Sequence, residues 1–173
     1  MKVLSIDVGT KNLAVCVLDA DPDNPEIEYW NVLETTGLKD LFEQLDVEVC
    51  LDESTHVVIE KQPSFNPKMR GVASALETYF IIRGQLDSTH VTRVVSFSPK
   101  HKITLCAARI PSPPVPKSKR YRMHKKIAIE ECADRIKESS TLTGFYSGHK
   151  KKDDLADSYL QGIAYIQMNR CLR

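Results

Sequence analysis

The chain has 173 residues, 42% hydrophobic and 27% charged, with a formal net charge of +1. That length suits one domain around one hydrophobic core, and the composition excludes disordered, collagenous and membrane-embedded classes. No apolar run reaches the ~20 residues of a membrane helix. The five cysteines (Cys16, Cys50, Cys106, Cys132, Cys171) form no Cys-x-x-Cys pair, so reduced thiols replace a disulfide framework or zinc ribbon as the expectation.

Residues 2–7 read as a short buried strand ending in Asp7, which also argues against a signal or transit peptide and for an intracellular protein. A turn at 9–12 returns the chain as a second strand over 13–18, giving a hairpin. The Pro/Asp cluster at 21–25 is a second turn, followed by a third strand over 26–35. Residues 37–50 place Leu38, Leu41, Phe42, Leu45 and Val49 at helical spacing. A short central strand over 56–59 delivers Glu60 at its C-terminal end, and a Pro-punctuated loop follows at 63–67. Residues 68–86 read as one long helix, with Met69, Val72, Ala73, Leu76, Tyr79, Phe80 and Arg83 along a broad face. A strand over 91–97 and a short helix over 99–108 come next. The prolines of 111–119 exclude regular structure and leave a mobile basic loop, about 109–122. Residues 122–137 and 153–170 are expected to form the last two helices. This order predicts an α/β fold with a mixed sheet, and no linker divides it.

Charge is segregated. Residues 1–60 carry 14 acids against Lys2, Lys11 and Lys39, whereas residues 88–129 carry ten Lys or Arg and no acid. Such a segment suits a polyanionic partner.

Four acids stand where solvation alone would not place them. Asp7 follows a buried strand, Glu60 ends one too apolar for an edge, and Asp154 and Asp157 are three apart on the first turn of the last helix. Taken singly, Asp7 can shape a turn, Glu60 can pair with Lys61, and Asp153 or Asp154 can cap the helix. Taken together, carboxylates that converge repel one another unless cations lie between them, and oxygen ligands without His or Cys select Mg²⁺ or Mn²⁺.

The segments SIDVGTKNLAVCVLD, VVIEKQPSFNPKMRG and KKDDLADSYLQGI resemble the three catalytic blocks of RuvC-type Holliday-junction resolvases of the RNase H-like superfamily, in order and spacing. The likeness is strongest to the branch of poxviruses and other large DNA viruses. The resemblance implies a single RNase H-like nuclease domain over 1–173, with a mixed five-stranded sheet, its first three strands antiparallel, flanked by helices. It implies that Asp7, Glu60, Asp154 and Asp157 are the catalytic, metal-holding acids for two Mg²⁺ ions, with Mn²⁺ able to substitute. Lys100 or Lys102 fills the family's basic position. A homodimer through the 68–86 helix is expected, with Met69, Val72, Leu76, Tyr79 and Phe80 at the interface. Its substrate would be four-way branched DNA, nicked in paired symmetric fashion during recombination, replication or repair. Lys11, Lys100, Lys102, Lys117, Lys119, Arg120, Arg122, Lys125 and Lys126 would contact phosphates, and Phe65 would stack on an unpaired base. A viral protein of this kind would work in the host cytoplasm or nucleus. The competing readings are a YqgF-like RNA-processing nuclease of the same fold and a catalytically inert junction-binding module. Sugar kinases and actin-like ATPases share the opening Asp-x-Gly-Thr hairpin but need two lobes, more than this chain holds.

Overall fold

The computed structural model describes residues 1–21, 24–48, 55–111 and 115–170, with Lys117 and Arg170 described by backbone alone. Strands β1 (Lys2–Asp7), β2 (Asn12–Asp19) and β3 (Glu26–Glu34) form an antiparallel meander. After helix α1 (Leu38–Glu48), β4 (Thr55–Glu60) pairs parallel to β1. Helix α2 (Pro67–Tyr79) then leads to β5 (Val91–Phe97), which runs parallel to β4. The sheet order is β3-β2-β1-β4-β5, the expected mixed five-stranded sheet. The chain continues through α3 (Lys100–Leu105), a 3₁₀ turn (Ala107–Arg109), α4 (Lys117–Ile136), α5 (Ser140–Gly148) and α6 (Lys152–Arg170).

Strand alternation divides the core in two. Leu4 and Ile6 of β1, with Val57 and Ile59 of β4, pack beneath α1 and α2 with Leu41, Leu45 and Leu76. Val3 of β1 and Val58 of β4 point to the opposite face, against Leu155, Leu160 and Ile163 of α6. A period of two therefore sends Asp7 and Glu60 to the α6 face as well. Helix α6 is enclosed on almost every side, by the sheet below and by α3, α4 and α5 around it. That explains why its middle, Leu155–Ile166, buries residues on every side rather than along one stripe. Gly162 is required there: a Cβ would lie 2.5 Å from Leu18 Cδ1 and 3.2 Å from Ser5 Cβ, so the missing side chain lets α6 approach β1 and β2.

Three expectations are corrected. The long helix is α-helical only to Tyr79 and continues as a π-helix over Phe80–Asp87. Leu76, Phe80 and Gly84 recur every four residues on the buried side, a spacing that the wider winding keeps in line. Leu76 and Phe80 are buried in the chain's own core, and so cannot face a partner; Met69, Val72 and Tyr79 are half-buried against the same core. The exposed apolar residues of this segment are Ile81, Ile82 and Leu86.

The basic loop is shorter than expected, because Lys117–Ile136 is helical. Pro116 stands at the N-cap, where a missing donor costs nothing, so the helix begins as soon as the prolines end. Helix α5 was not expected at all. Ser139 caps it by accepting from the Leu142 amide at 3.3 Å, and Tyr146 anchors it. Cys16, Cys106 and Cys132 are buried free thiols; Cys50 and Cys171 lie outside the described residues, as do parts of the 21–25 turn and the end of the 37–50 helix. Among the described residues, no helix is long and apolar enough to cross a membrane.

Candidate active site

In the parallel pair β1/β4, Ile6 lies opposite Ile59, which puts Asp7 and Glu60 side by side where both strands end. The chain leaves β1 through a turn that only glycine permits: a Cβ on Gly9 would fall 1.7 Å from the Asn12 carbonyl oxygen. Above the two strand ends, the first turns of α6 present Asp154 and Asp157. All four acids line one cavity of about 670 Å³, together with Asn12, Phe65, Lys102 and Lys125.

Lys102, from α3, reaches into the centre of this group. Its ammonium lies 2.9 Å from Glu60 Oε1 and 3.0 Å from Asp157 Oδ1, and its side chain is only 13% exposed. Of the two lysines that fit the expected basic position, Lys102 is the one inside the acid cluster, while Lys100 faces solvent. Gln62 donates its amide to Glu60 Oε2 at 3.0 Å and to the Glu60 carbonyl at 3.1 Å, fixing the carboxylate.

The protonation balance follows from this crowding. Burial pushes the Asp7 carboxyl well above its ordinary range; the Lys102 ammonium opposes that rise, and the charges of Glu60 and Asp157 add to it. Burial would raise Glu60 too, but Lys102, with hydrogen bonds from Lys102, Gln62 and Asp7, outweighs it and holds this carboxyl low. Asp157 is raised by burial and by Glu60, against the pull of Lys102. Asp154 is raised by burial and by its neighbour Asp153. Burial would depress the Lys102 ammonium, yet Asp157, Asp7 and Glu60 together keep it firmly protonated. The pattern is that of like charges forced together with one cation between them.

A buried amide beneath the site was not anticipated from sequence. Gln161, one turn after Asp157 on α6, donates to Ser5 Oγ at 3.2 Å, the Ile6 carbonyl at 3.0 Å and the Val58 carbonyl at 3.2 Å. It thus ties the helix to both strands just behind their acids. The available signal was a lone amide in the apolar run around Leu160–Tyr165, on the face shared with Asp157. Trp30 supports α6 from the other side, its indole N–H donating to the Leu155 carbonyl at 3.0 Å and its ring stacked 5.4 Å from Tyr146.

The basic residues divide into two groups. Lys11, Lys100, Lys119, Arg120, Arg122 and Lys126 are exposed, Lys126 within 3.7 Å of Glu130. Lys102 and Lys125 differ from the solvent-facing arrangement expected of phosphate contacts. Lys102 is enclosed as above, and Lys125 pairs with Asp153 at 2.5 Å while lying 5.2 Å over the Tyr121 ring. Each is held in a charge-assisted pair with an acid. The Lys117 side chain lies outside what is described. Phe65 is 84% exposed at the cavity mouth, with no core to fill.

Comparison with known proteins places this geometry. The fold is that of the fowlpox virus resolvase solved with its substrate Holliday junction DNA (TM-score 0.66, 19% identity, covering 98% of this chain and 99% of that one). It also matches Thermus thermophilus RuvC solved with a Holliday junction substrate (TM-score 0.57, 14% identity, 99% and 96% covered). At these identities the likeness is one of fold, the RNase H-like fold. By sequence the chain is 34% identical over 118 residues to the uncharacterized protein L451 of Acanthamoeba polyphaga mimivirus. That alignment takes in 64% of this chain but spans only 28% of that relative. The family described as Poxvirus A22 protein matches residues 1–170, and the chain belongs to that family.

Proposed function

We propose that this chain is a divalent-metal-dependent endonuclease that resolves four-way DNA junctions, working as a homodimer that nicks two opposed strands symmetrically. The observation that carries the reading is the placement of Asp7, Glu60, Asp154 and Asp157 around one cavity at the ends of β1, β4 and the start of α6. The fold shared with resolvases solved on junction DNA supports the substrate.

As they stand, no three such side chains among the described residues converge closely enough to grip an ion. The donor set nevertheless fits one. It is made wholly of carboxylate oxygens, which suits Mg²⁺ or Mn²⁺, and its like charges are balanced by a single enclosed ammonium. Bound divalent cations supply Lewis-acid activation of water and of the scissile phosphate, the usual chemistry of in-line phosphodiester hydrolysis.

Within this reading, Asp7 stands at the centre of the donor set, with Glu60 and Asp157 beside it and Asp154 at the open side. Gln62 orients Glu60, and Gln161 holds the two strands and the helix in register. Lys102 is placed to meet the scissile phosphate. Phe65 offers a ring to a base left unpaired at the crossover, and Lys11, Lys100, Lys119, Arg120, Arg122 and Lys126 engage the arms. A two-fold dimer presents two such centres to two equivalent strands. Within the 68–86 segment, Ile81, Ile82 and Leu86 are the exposed apolar side chains it could offer a partner.

Incubation with a synthetic four-way junction, a linear duplex and an RNA–DNA hybrid, each with Mg²⁺ or EDTA, tests this. Paired, symmetric, EDTA-sensitive nicks confined to the junction are expected, and Asp7→Asn abolishes them. Cleavage of the hybrid alone points to an RNA-directed nuclease, and junction binding without cutting to an inert module.

A further inference from the structure

We infer that Lys102 is a built-in counter-cation of the acid cluster, which divalent metal must displace and which is thereby released toward the DNA. The inference rests on the metal-nuclease reading and deepens it. Among the described residues, Lys102 is the one basic side chain that reaches between Glu60 and Asp157, at 2.9 and 3.0 Å, and its enclosure is nearly complete. It is not there to satisfy a hydrophobic wall. Its partners are the acids that a metal would need.

An ammonium and a divalent cation compete for the same carboxylates, because like charges held a few ångströms apart in a partly buried site repel. Metal entry therefore favours a Lys102 that swings out. Its stem starts on α3, a single short helix whose residues are only partly buried, and the cavity beside it is open. The outward path leads into the space where substrate phosphate would lie. One side chain thus serves two states: it neutralises the carboxylates before metal arrives and meets the phosphate afterwards. The clamp lowers apparent metal affinity by the fraction of molecules in which it is closed.

The tests use calorimetric titration of metal-free protein with Mn²⁺ and Mg²⁺, without DNA. Lys102→Met is expected to bind metal about tenfold more tightly than wild type or more, although junction cleavage falls. Lys100→Met, on the solvent face of the same helix, is expected to leave metal affinity unchanged. Equal or weaker binding by Lys102→Met overturns the inference. Should that variant fail to fold without metal, wild type itself decides, by acylation with N-hydroxysuccinimidyl acetate and peptide mass spectrometry. Lys102 is expected to be protected in EDTA and to become reactive with saturating Mg²⁺, with Lys100 reactive throughout. Labelling of Lys102 that ignores Mg²⁺ then refutes the clamp. Junction cleavage by wild type together with equal metal affinities sinks this inference alone. Tighter metal binding by Lys102→Met with no wild-type junction cleavage sinks the nuclease reading and leaves the clamp standing.

Discussion

Replacing Gln161 with leucine removes an amide whose two protons are shared among three acceptors, at 3.2, 3.0 and 3.2 Å, while keeping nearly the same volume. At about 1 kcal/mol net for each proton, the loss is roughly 2 kcal/mol. The Gln161 Oε1 atom is itself buried without a partner, and its removal returns about 1 kcal/mol. A destabilisation of about 1 kcal/mol remains, equivalent to a Tm lower by roughly 2–4 °C for a chain of this size. Urea unfolding followed by the fluorescence of Trp30, the chain's single tryptophan, reads this directly, since its indole is bonded to α6. The slope of the unfolding line should not change, because the same surface is exposed. A second readout separates positioning from bulk stability. The lost bonds lie directly behind Asp7 and two residues before Glu60, so the Mg²⁺ concentration for half-maximal junction cleavage should rise, by about 10- to 100-fold. Gln161→Glu sharpens the case. At neutral pH it aims a carboxylate at two carbonyl oxygens, and the folded protein raises the pKa of that group. The deficit is therefore full above that raised value and shrinks as pH falls through it, where a protonated acid donates again. Wild-type stability and an unaltered Mg²⁺ requirement in the leucine variant would show that Gln161 is not a tie between α6 and the strands.

Asp7→Asn is expected to stabilise the metal-free protein, because burial and the charges of Glu60 and Asp157 disfavour the ionised acid. A gain of about 1–2 kcal/mol, or roughly 2–8 °C in Tm, should appear by calorimetry in EDTA and diminish when saturating Mg²⁺ stabilises wild type. A variant no more stable than wild type in EDTA would speak against crowding at Asp7. The Asp153 carboxyl, which burial would raise, is held below its usual range by Lys125. Its contribution is present above the unfolded carboxyl value of about 3.9 and lost as pH falls through the lower folded value. Asp153→Asn should thus flatten the acid limb of the stability curve below about pH 4, by under about 1 kcal/mol because the pair is partly exposed; an unchanged limb would count against the pair. Combined replacement of Lys119, Arg120 and Arg122 by alanine should weaken junction binding and reduce the log–log salt slope by about 0.9 for each phosphate no longer neutralised. An unchanged slope would mean that these side chains do not touch phosphate.

The strands were legible because each is a short β-rich run bounded by turn residues, and β5 falls over Val91–Phe97 as read. The alternation that buries Val3 and Ser5 also aims Asp7, so one periodicity delivered both the sheet and the direction of its acid. What failed to show depended on partners distant in the chain. Phe80 looks like an interface residue on an isolated helix, and only the sheet beneath reveals it as core. The π-helical end of that segment preserves a four-residue spacing that an α-helical template also accepts. Lys102 and Lys125 read as part of one basic run, yet the acids that claim them lie 42 and 28 residues away. A like-charged stretch in sequence is therefore not one surface in space.

The enclosure of α6 explains why such acids can be kept together at all. A helix on the surface relieves repulsion by turning its carboxylates into water. Here Leu155, Ala156, Tyr159 and Leu160 are buried around Asp157, Gly162 presses the backbone onto β1 and β2, and Trp30 and Gln161 fix the helix from two sides. Rotation of α6 would expose several side chains, each worth about 1.5–3 kcal/mol of burial, more than separating one pair of carboxylates returns. The repulsion therefore persists as unspent electrostatic free energy, and a cation entering the cluster recovers it. The Lys102 ammonium, at 2.9 Å from Glu60 and 3.0 Å from Asp157, recovers part of it; on the proposed reading, two charges on one small ion would recover more.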